Sequence, residues 1–330
     1  MHRAIRLILL VVLVLTPTMS IGALAAPVRD GGDDDAGESH RERGGGRPDA
    51  YTIPGAAVFP EGIALDRRSG DLFVSSTTDG TIFTGNVRQP ALAPFAPAGV
   101  AGRTTATGMQ VDRRGRLFVA GAGTGKAFVL STRDAGTIKA LDSKPGTSPT
   151  FVNDVALTPR YAYFTDSLRP VVLRVALRGS TIGELEPWLD LTGTPFAYGD
   201  GFNANGIVSF DDDAVLVVVQ SNTGKLFRID TRTRAVSEID LGGATLTQGD
   251  GLAAQASRLF VVRNVGEIVE LRLRRDRRAG RIVRTITSRA LMFPTTIARD
   301  DDRLLVVNAQ FDKRGGAPVL PFTVAAVALR

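Results

Sequence analysis

The stretch Glu61–Val87, EGIALDRRSGDLFVSSTTDGTIFTGNV, decides how this chain folds. It contains a short apolar segment, a turn rich in Asp, Arg and Gly, the β-branched and aromatic segment DLFVSS, a second turn and a third apolar segment. Short apolar runs bounded by turn residues are typical of β-strands, and the spacing of an amphipathic helix is absent. The stretch therefore predicts a small antiparallel sheet.

The same pattern recurs five more times along the chain. The later copies begin at Thr107, Asn153, Asn205, Asp250 and Thr295, so the repeat length is 45 to 52 residues. The segments between copies, such as TIKALDS and AVSEIDLGG, supply a fourth, outer strand. Repeats of this length with four strands predict an all-β, six-bladed β-propeller, in which radial repetition protects the sheet edges.

The two ends of the repeat array predict how the ring closes. The sixth copy ends in PFTVAAVALR and lacks its own outer strand, whereas DAYTIPGAAVF, residues 49–59, precedes the first copy without a partner. We expect this leading segment to complete the last blade. An open sandwich or a parallel β-helix, the alternative architectures, would not need it. Residues 51–330 are thus predicted to form a single propeller domain.

The N-terminal residues predict export. Residues 1–25 combine the basic Arg3 and Arg6, an apolar core at Leu7–Leu15 and the small-residue site Ala23-Leu24-Ala25, which is the pattern of a secretory signal peptide. The apolar core is short for an uncleaved anchor, and no second apolar run suggests a transmembrane span. Residues 26–50 have the composition of a disordered linker. We expect a secreted, monomeric protein without disulfides, because the chain has no cysteine.

The positive charge concentrates in LRLRRDRRAGRIVR, which ends at Arg284. The formal net charge is +6, but the arginines of Arg272–Arg284 alternate with apolar residues and no aromatic platform accompanies them. Aromatic stacking surfaces are usual in single-strand nucleic-acid binders. This pattern indicates the outer face of a hairpin with weak contact to an anionic surface polymer, and it argues against a nucleic-acid partner.

The first residues of the six copies are expected to ring one mouth of the central channel, because the innermost strand of each blade runs along it. All six side chains carry oxygen and none is basic: Glu61, Thr107, Asn153, Asn205, Asp250 and Thr295. Carboxylate and amide oxygens are hard ligands suited to Ca²⁺ or Mg²⁺. Each residue could instead cap its own turn, which would suffice for either Asn alone. Glu is a poor turn residue, and the four carboxylate and amide residues together favour a metal.

Four of these strand starts carry a family resemblance. FPEGIALD, TFVNDVAL, ANGIVSFDDDAVLVVV and GDGLAAQASRLFVVRN resemble the strand-start motifs of the gluconolactonase and senescence-marker-protein propellers and of their paraoxonase relatives. The resemblance implies a divalent cation, usually calcium, that polarises a lactone or ester carbonyl. It also implies that Glu61, Asn153 and Asp250 are metal ligands and that Asn205 matches an additional Asn ligand of the paraoxonase branch. Asp250 is then the candidate to take the proton of the attacking water.

Two departures from the family pattern bear on this expectation. Thr107 occupies a position where gluconolactonase-type members have an Asn that helps bind substrate. Paraoxonase-type members also have a histidine pair near the metal, whereas the only histidines of this chain are His2 and His40, in the predicted signal peptide and linker. A histidine base and a serine triad are therefore excluded within residues 51–330. Thr107, Thr295 and Asp200 are predicted to line the substrate site.

These observations support two hypotheses about function. The first is a secreted, calcium-dependent hydrolase that opens a lactone or ester at the channel mouth. The alternative is a non-catalytic propeller that binds a peptide, a glycan or a cell-wall ligand, because a propeller fold alone does not determine function.

Overall fold

The structure is a computed structural model that describes residues 46–211 and 213–329. The predicted signal peptide and most of the predicted linker lie outside the described residues. In the described part, no helix has the length and apolar character needed to cross a bilayer.

In residues 46–211 and 213–329, twenty-four strands form six four-stranded antiparallel sheets, which confirms the predicted six-bladed propeller. The first three blades are β2 (Pro60–Asp66), β3 (Asp71–Ser76), β4 (Ile82–Asn86) and β5 (Ala93–Ala96); β6 (Met109–Val111), β7 (Arg116–Ala120), β8 (Lys126–Ser131) and β9 (Thr137–Asp142); and β10 (Val152–Leu157), β11 (Tyr161–Asp166), β12 (Val171–Arg178) and β13 (Thr181–Asp190).

The other three blades complete the ring. They are β14 (Ala204–Phe210), β15 (Val215–Gln220), β16 (Lys225–Asp230) and β17 (Val236–Glu238); β18 (Gly249–Gln255), β19 (Arg258–Arg263), β20 (Glu267–Leu273) and β21 (Gly280–Thr287); and β22 (Pro294–Asp300), β23 (Arg303–Asn308), β24 (Phe322–Ala328) and β1 (Ala50–Ile53). Two 3₁₀ turns, Val100–Gly102 and Phe311–Lys313, occur in the described loops. The outer strand of blade 3 starts at Thr181, earlier than EPWLDLTG (186–193), the segment between the third and fourth copies that the repeat pattern predicts for it.

The core lies between blades, which explains why the central strands are apolar along their whole length. Successive side chains of a strand point to opposite faces, and both faces of a blade are covered by neighbours. In β3, Leu72 and Val74 pack in the cluster shared with blade 6, whereas Phe73 packs in the cluster shared with blade 2. Four further clusters fill the other spaces between blades.

The ring closes as predicted by pairing the first strand with the last. β1 is antiparallel to β24, with Tyr51 opposite Val324 and Ile53 opposite Phe322. The same strand also reaches blade 1, because the Thr52 N–H donates to the carbonyl of Pro90 (2.8 Å). The N-terminal strand therefore joins blade 6 to blade 1.

The basic segment forms the predicted outward hairpin of β20 and β21. Glu270 accepts hydrogen bonds from Arg258 (2.8 Å) and Arg284 (2.9 Å), and Arg277 pairs with Asp211 (2.8 Å). Part of the positive charge in this segment is thus neutralised within the fold. Its contact with an anionic polymer stays a prediction.

We expect Tyr51→Ala to lower the free energy of unfolding by about 3–5 kcal/mol, the range for truncating a buried aromatic side chain. Tyr51 is fully buried and its hydroxyl donates to the carbonyl of Val87 (2.8 Å). Tyr51→Phe keeps the ring and should cost only about 1 kcal/mol. Denaturant unfolding of both variants checks this, and a wild-type midpoint for Tyr51→Ala would contradict closure by β1.

Candidate metal centre

The inner strands of five blades, all except blade 2, carry an irregularity at the residues predicted to ring the channel. In β2, Pro60 pairs with Ser76 and Ile63 with Val74, so Glu61 and Gly62 together oppose the single residue Ser75. Such a two-against-one arrangement is a β-bulge, which turns side chains away from the regular alternation. The same register shift occurs in the inner strands of blades 3 to 6. In these five blades the bulge sets the direction of the ring residue.

All six predicted ring residues are buried. Their relative exposures are 5% for Glu61, 1% for Thr107, 4% for Asn153, 6% for Asn205, 6% for Asp250 and 0% for Thr295. Burying a polar group is costly unless it finds a partner. The hydrogen bonds of these six side chains therefore separate structural residues from candidate ligands.

Four of the six side chains each hold an oxygen without a partner. Five buried side-chain oxygens lack a hydrogen bond in the described part of the chain, and four of them are Glu61 Oε2, Asn153 Oδ1, Asn205 Oδ1 and Asp250 Oδ1. These are the four residues predicted to bind metal. Unpartnered buried oxygens are rare in folded proteins and need an explanation such as an ion.

The two threonines of the ring are instead bonded to the backbone. The Thr107 hydroxyl donates to the carbonyl of Val152 (3.1 Å), and the Thr295 hydroxyl donates to the carbonyl of Glu61 (2.9 Å). Each of these bonds ties one blade to the next. Their predicted role in lining a substrate site stays a prediction.

Neighbouring side chains hold the candidate ligands in place. The Asn153 amide donates to the hydroxyl of Ser167 (2.8 Å), which donates in turn to the carbonyl of Ala204 (2.6 Å). Asn264 donates to Asp250 Oδ2 (2.8 Å) and to the carbonyl of Pro294 (2.9 Å). The first support leaves Asn153 Oδ1 free, and the second leaves Asp250 Oδ1 free. Such outer partners orient ligands in metal sites.

Three buried acids at the starts of the inner strands, Glu61, Asp154 and Asp250, interact electrostatically. Burial, with the charges of Asp250 and Asp154, raises the pKa of Glu61 well above its usual range. Burial also raises the pKa of Asp250 to about 7, although the hydrogen bond from Asn264 acts in the opposite direction. The Asn205 amide lowers the pKa of Asp250 as well, so these two side chains are adjacent. A cation would remove the penalty on the ionised forms.

Asp154 is a buried acid that the sequence reasoning missed. It follows Asn153 in the bulge, where four of the other five inner strands have glycine. Its two oxygens accept hydrogen bonds from the backbone N–H groups of Val155 (2.8 Å) and Ile207 (3.0 Å), so both are already used. Burial raises the pKa of Asp154 to about 7. Asp154 thus adds negative charge near the candidate ligands while joining blade 3 to blade 4.

The donor set decides which metal fits. In the described part of the chain, no three His, Cys, Asp or Glu side chains come together in a cluster able to hold a metal. The candidate set is two carboxylates and two amides, so only two of its members belong to these four residue types. Four oxygens without nitrogen or sulfur fit Ca²⁺ or Mg²⁺ rather than Zn²⁺ or Cu²⁺.

The long loop before β14 contains two asparagines with different roles. Asn203 organises the loop: its Oδ1 accepts from the Gly199 N–H (2.9 Å) and its Nδ2 donates to the carbonyls of Gly199 (2.9 Å) and Gly201 (3.0 Å). Asn205, two residues on, keeps its oxygen free. The turn role weighed for Asn205 is therefore filled by Asn203. Asp200 lies exposed in this loop, and its role in substrate binding stays a prediction.

An apolar layer separates the four oxygens from the rest of the channel. Two residues beyond each bulge position, the inner strands place Ile63, Ile207, Leu252 and Ile297 on a cavity of about 220 Å³. This cavity is lined only by residues that lie further along the strands, so it opens toward the other mouth. The four free oxygens are therefore confined to the mouth where the inner strands begin.

Comparison with known proteins supports the fold. No known family model matches the chain, and no curated protein sequence matches it. Among solved structures, the allergen Mala s 1 of Malassezia sympodialis is similar with a TM-score of 0.63 and 15% identity, covering 85% of this chain and 96% of that chain.

Two structurally similar proteins are named as enzymes. Virginiamycin B lyase from Staphylococcus aureus has a TM-score of 0.56 and 12% identity, covering 85% of this chain and 98% of that chain. A luciferin-regenerating enzyme has a TM-score of 0.58 and 13% identity, covering 84% of this chain and 93% of that chain. At these identities, the similarity establishes the shared propeller fold.

The buried acids predict an unusual pH dependence for protein treated with chelator. A carboxyl whose pKa is raised by folding stabilises the fold below its unfolded pKa, near 4, and this stabilisation is lost as the pH rises through the folded value, about 7 for Asp154 and Asp250. Each such group should remove about 1.4 kcal/mol of stability per pH unit across that range.

We therefore expect the melting temperature of chelator-treated protein to fall between pH 5 and pH 8 by roughly several degrees. Asp250→Asn should flatten the curve because one ionisation is removed. Asp302→Asn, a change at an exposed surface acid, is the control and should leave the slope unchanged. Equal slopes in all three proteins would contradict the clustering of acids at this mouth.

Proposed function

We propose that this protein is a divalent-metal-dependent hydrolase that opens a lactone or a related ester at the mouth where the inner strands begin. The observation that carries the proposal is the set of four buried, unpartnered oxygens on Glu61, Asn153, Asn205 and Asp250. Glu61, Asn153 and Asn205 would act only as metal ligands, and Asp250 would be both a ligand and the general base. Calcium suits this set best, because it accepts several oxygen ligands in flexible geometry.

The chemistry of the site follows from its donors. A bound divalent cation acts as a Lewis acid on a carbonyl oxygen. Asp250 Oδ1 is free to accept a proton from the attacking water, while Asn264 holds Oδ2 and so fixes the orientation of the carboxylate. Water adds to the carbonyl carbon, the ring C–O bond breaks, and the proton passes to the leaving alkoxide, which yields a hydroxy acid. Proton transfer by a positioned side chain contributes about 10²–10⁴-fold to rate.

The proposal includes an extracellular setting. The signal peptide predicted in residues 1–25 lies outside the described residues, and export is part of the proposal. Extracellular calcium sites have dissociation constants of about 10⁻⁴–10⁻³ M. A site with four protein ligands, of which only two are carboxylates, can reach this weak affinity. The resemblance to enzyme propellers, among them a lyase and a luciferin-regenerating enzyme, is consistent with a catalytic role.

We expect calcium to raise the melting temperature of chelator-treated protein. A ligand at a hundred times its dissociation constant adds about 2.7 kcal/mol to the folded state, or roughly 5 °C or more for a domain of this size. Asp250→Ala and Asn205→Ala should abolish the rise. Asn86→Ala, at an Asn on the outer part of blade 1 that bonds Asp71 and Ser69, is the matched control and should keep it.

The same preparations test catalysis with simple five- and six-membered lactones and aryl esters. Hydrolysis should require calcium, and Asp250→Asn should lower kcat/KM by about 10²-fold or more. A calcium-dependent rise in melting temperature without hydrolysis would instead favour the non-catalytic ligand-binding propeller. The absence of a rise with any divalent ion would exclude the metal site and with it the proposed hydrolase.

A further inference from the structure

The far mouth of the central channel contains two arginines that the proposed function does not use. Arg67 follows β2 and Arg299 lies near the end of β22, and both line the 220 Å³ channel cavity. Ser209, also on this cavity, is four residues beyond Asn205 on the same strand, or about 13 Å along it. The apolar layer lies between the two ends, so this mouth is separate from the candidate metal centre.

Both guanidinium groups have unused donors. In the described part of the chain, Arg67 makes no ion pair, and its guanidinium group forms no hydrogen bond. Arg299 donates from Nη1 to the carbonyl of Asp301 (2.8 Å), but its buried Nε has no partner. An arginine carries five donors in a planar fork, so most donors of these two cavity-lining arginines have no partner among the described residues.

The acids near this mouth are already paired with other arginines. Asp66 pairs with Arg68 (2.9 Å), and Asp112 pairs with Arg116 (2.6 Å). Asp300 binds both Arg47 (3.2 Å) and Arg303 (2.6 Å), and Asp301 binds Arg47 (3.0 Å). These carboxylates are thus committed to partners other than Arg67 and Arg299. The two arginines remain as positive charges without an ion pair.

The electrostatics show that the two charges affect each other. Burial lowers the pKa of Arg299, and the charge of Arg67 lowers it further. The charges of Asp301 and Asp300 raise the pKa of Arg299, but with smaller effects than burial, and repulsion between like charges reduces stability. An anion between them would remove the repulsion and use the free donors.

We propose that the far mouth of the channel binds a small oxyanion, such as a phosphate or sulfate group, between Arg67 and Arg299. Arginine forks match the oxygens of such groups and form charge-assisted hydrogen bonds with them. The side chains of Gln110 and Ser209 line the same cavity and add polar contacts. The site does not depend on the metal proposed at the other mouth.

The size of the cavity limits the ligand. Pockets that enclose drug-sized ligands have volumes of about 300–1,000 Å³, and this one has about 220 Å³. It therefore suits one anionic group, and a larger cavity of about 960 Å³ that shares Arg67, Gln110 and Ser209 adjoins it. That group is either a free inorganic ion or the end of a longer anionic chain whose remainder lies outside the channel.

The test measures the melting temperature of the purified protein, in the presence of chelator, as sodium phosphate or sodium sulfate replaces sodium chloride at constant ionic strength. At ten times its dissociation constant, phosphate should raise the wild-type melting temperature by roughly 2–4 °C. Arg67→Gln removes no contact within the fold, so it should keep the wild-type melting temperature in chloride and weaken phosphate binding about tenfold or more. Arg299→Gln should weaken it to a similar degree.

Arg232→Gln is the matched control, because Arg232 is exposed on the turn after β16 and has the same charge. It should bind phosphate like the wild type. The proposal is overturned if neither anion shifts the wild type, or if Arg67→Gln and Arg299→Gln respond like the wild type. It is also overturned if Arg232→Gln loses as much binding as Arg67→Gln, because general surface charge would then explain the effect.

A short linear polyphosphate distinguishes the two sources of the anion. Tighter binding of polyphosphate than of orthophosphate, lost in Arg67→Gln, identifies the end group of a chain. Binding of orthophosphate alone, lost in the same variant, identifies a free ion. Either result supports the site.

Discussion

The close approach of neighbouring inner strands at the bulges is the constraint on which the rest of this structure depends. A Cβ placed on Gly62 would lie 2.1 Å from the carbonyl oxygen of Thr107, and one on Gly206 would lie 2.2 Å from the carbonyl oxygen of Asp250. No real side chain fits at such a distance, so glycine is required there. The bulge residue before each glycine is therefore carried to the channel, and the ring of oxygens follows from the packing of backbone against backbone.

Where the position after the bulge residue is not glycine, its side chain bonds the neighbouring blade. Asp154 accepts from the Ile207 N–H, and the Thr296 hydroxyl donates to the carbonyl of Glu61. Neighbouring inner strands are thus held together either by close backbone approach at a glycine or by a hydrogen bond of the side chain at that position. The chain has no disulfide, yet it holds four polar side chains buried with one unbonded oxygen each. The free-energy cost of burying these oxygens is offset by the apolar clusters between the blades.

The channel has opposite chemistry at its two ends. At one mouth, free oxygens and buried acids favour a cation. At the other, Arg67 and Arg299 have donors and charge that the fold does not neutralise. The apolar layer of Ile63, Ile207, Leu252 and Ile297 keeps the two ends apart, which prevents the arginines from neutralising the acids and leaves each end available to a ligand of its own.

The sequence by itself determined the repeat, the blade count, the closing strand and the positions where the inner strands begin, because strand alternation and turn residues are local properties. It did not reveal Asp154 as a buried acid, since an Asp in a strand start is indistinguishable from a turn residue until the neighbouring Ile207 N–H is in place. It also could not show that Asn203 organises the loop while Asn205 keeps a free oxygen. Nor could it show that Thr107 and Thr295 bond the backbone, unlike the other four ring residues. Those assignments depend on hydrogen bonds between blades, which only the tertiary structure decided.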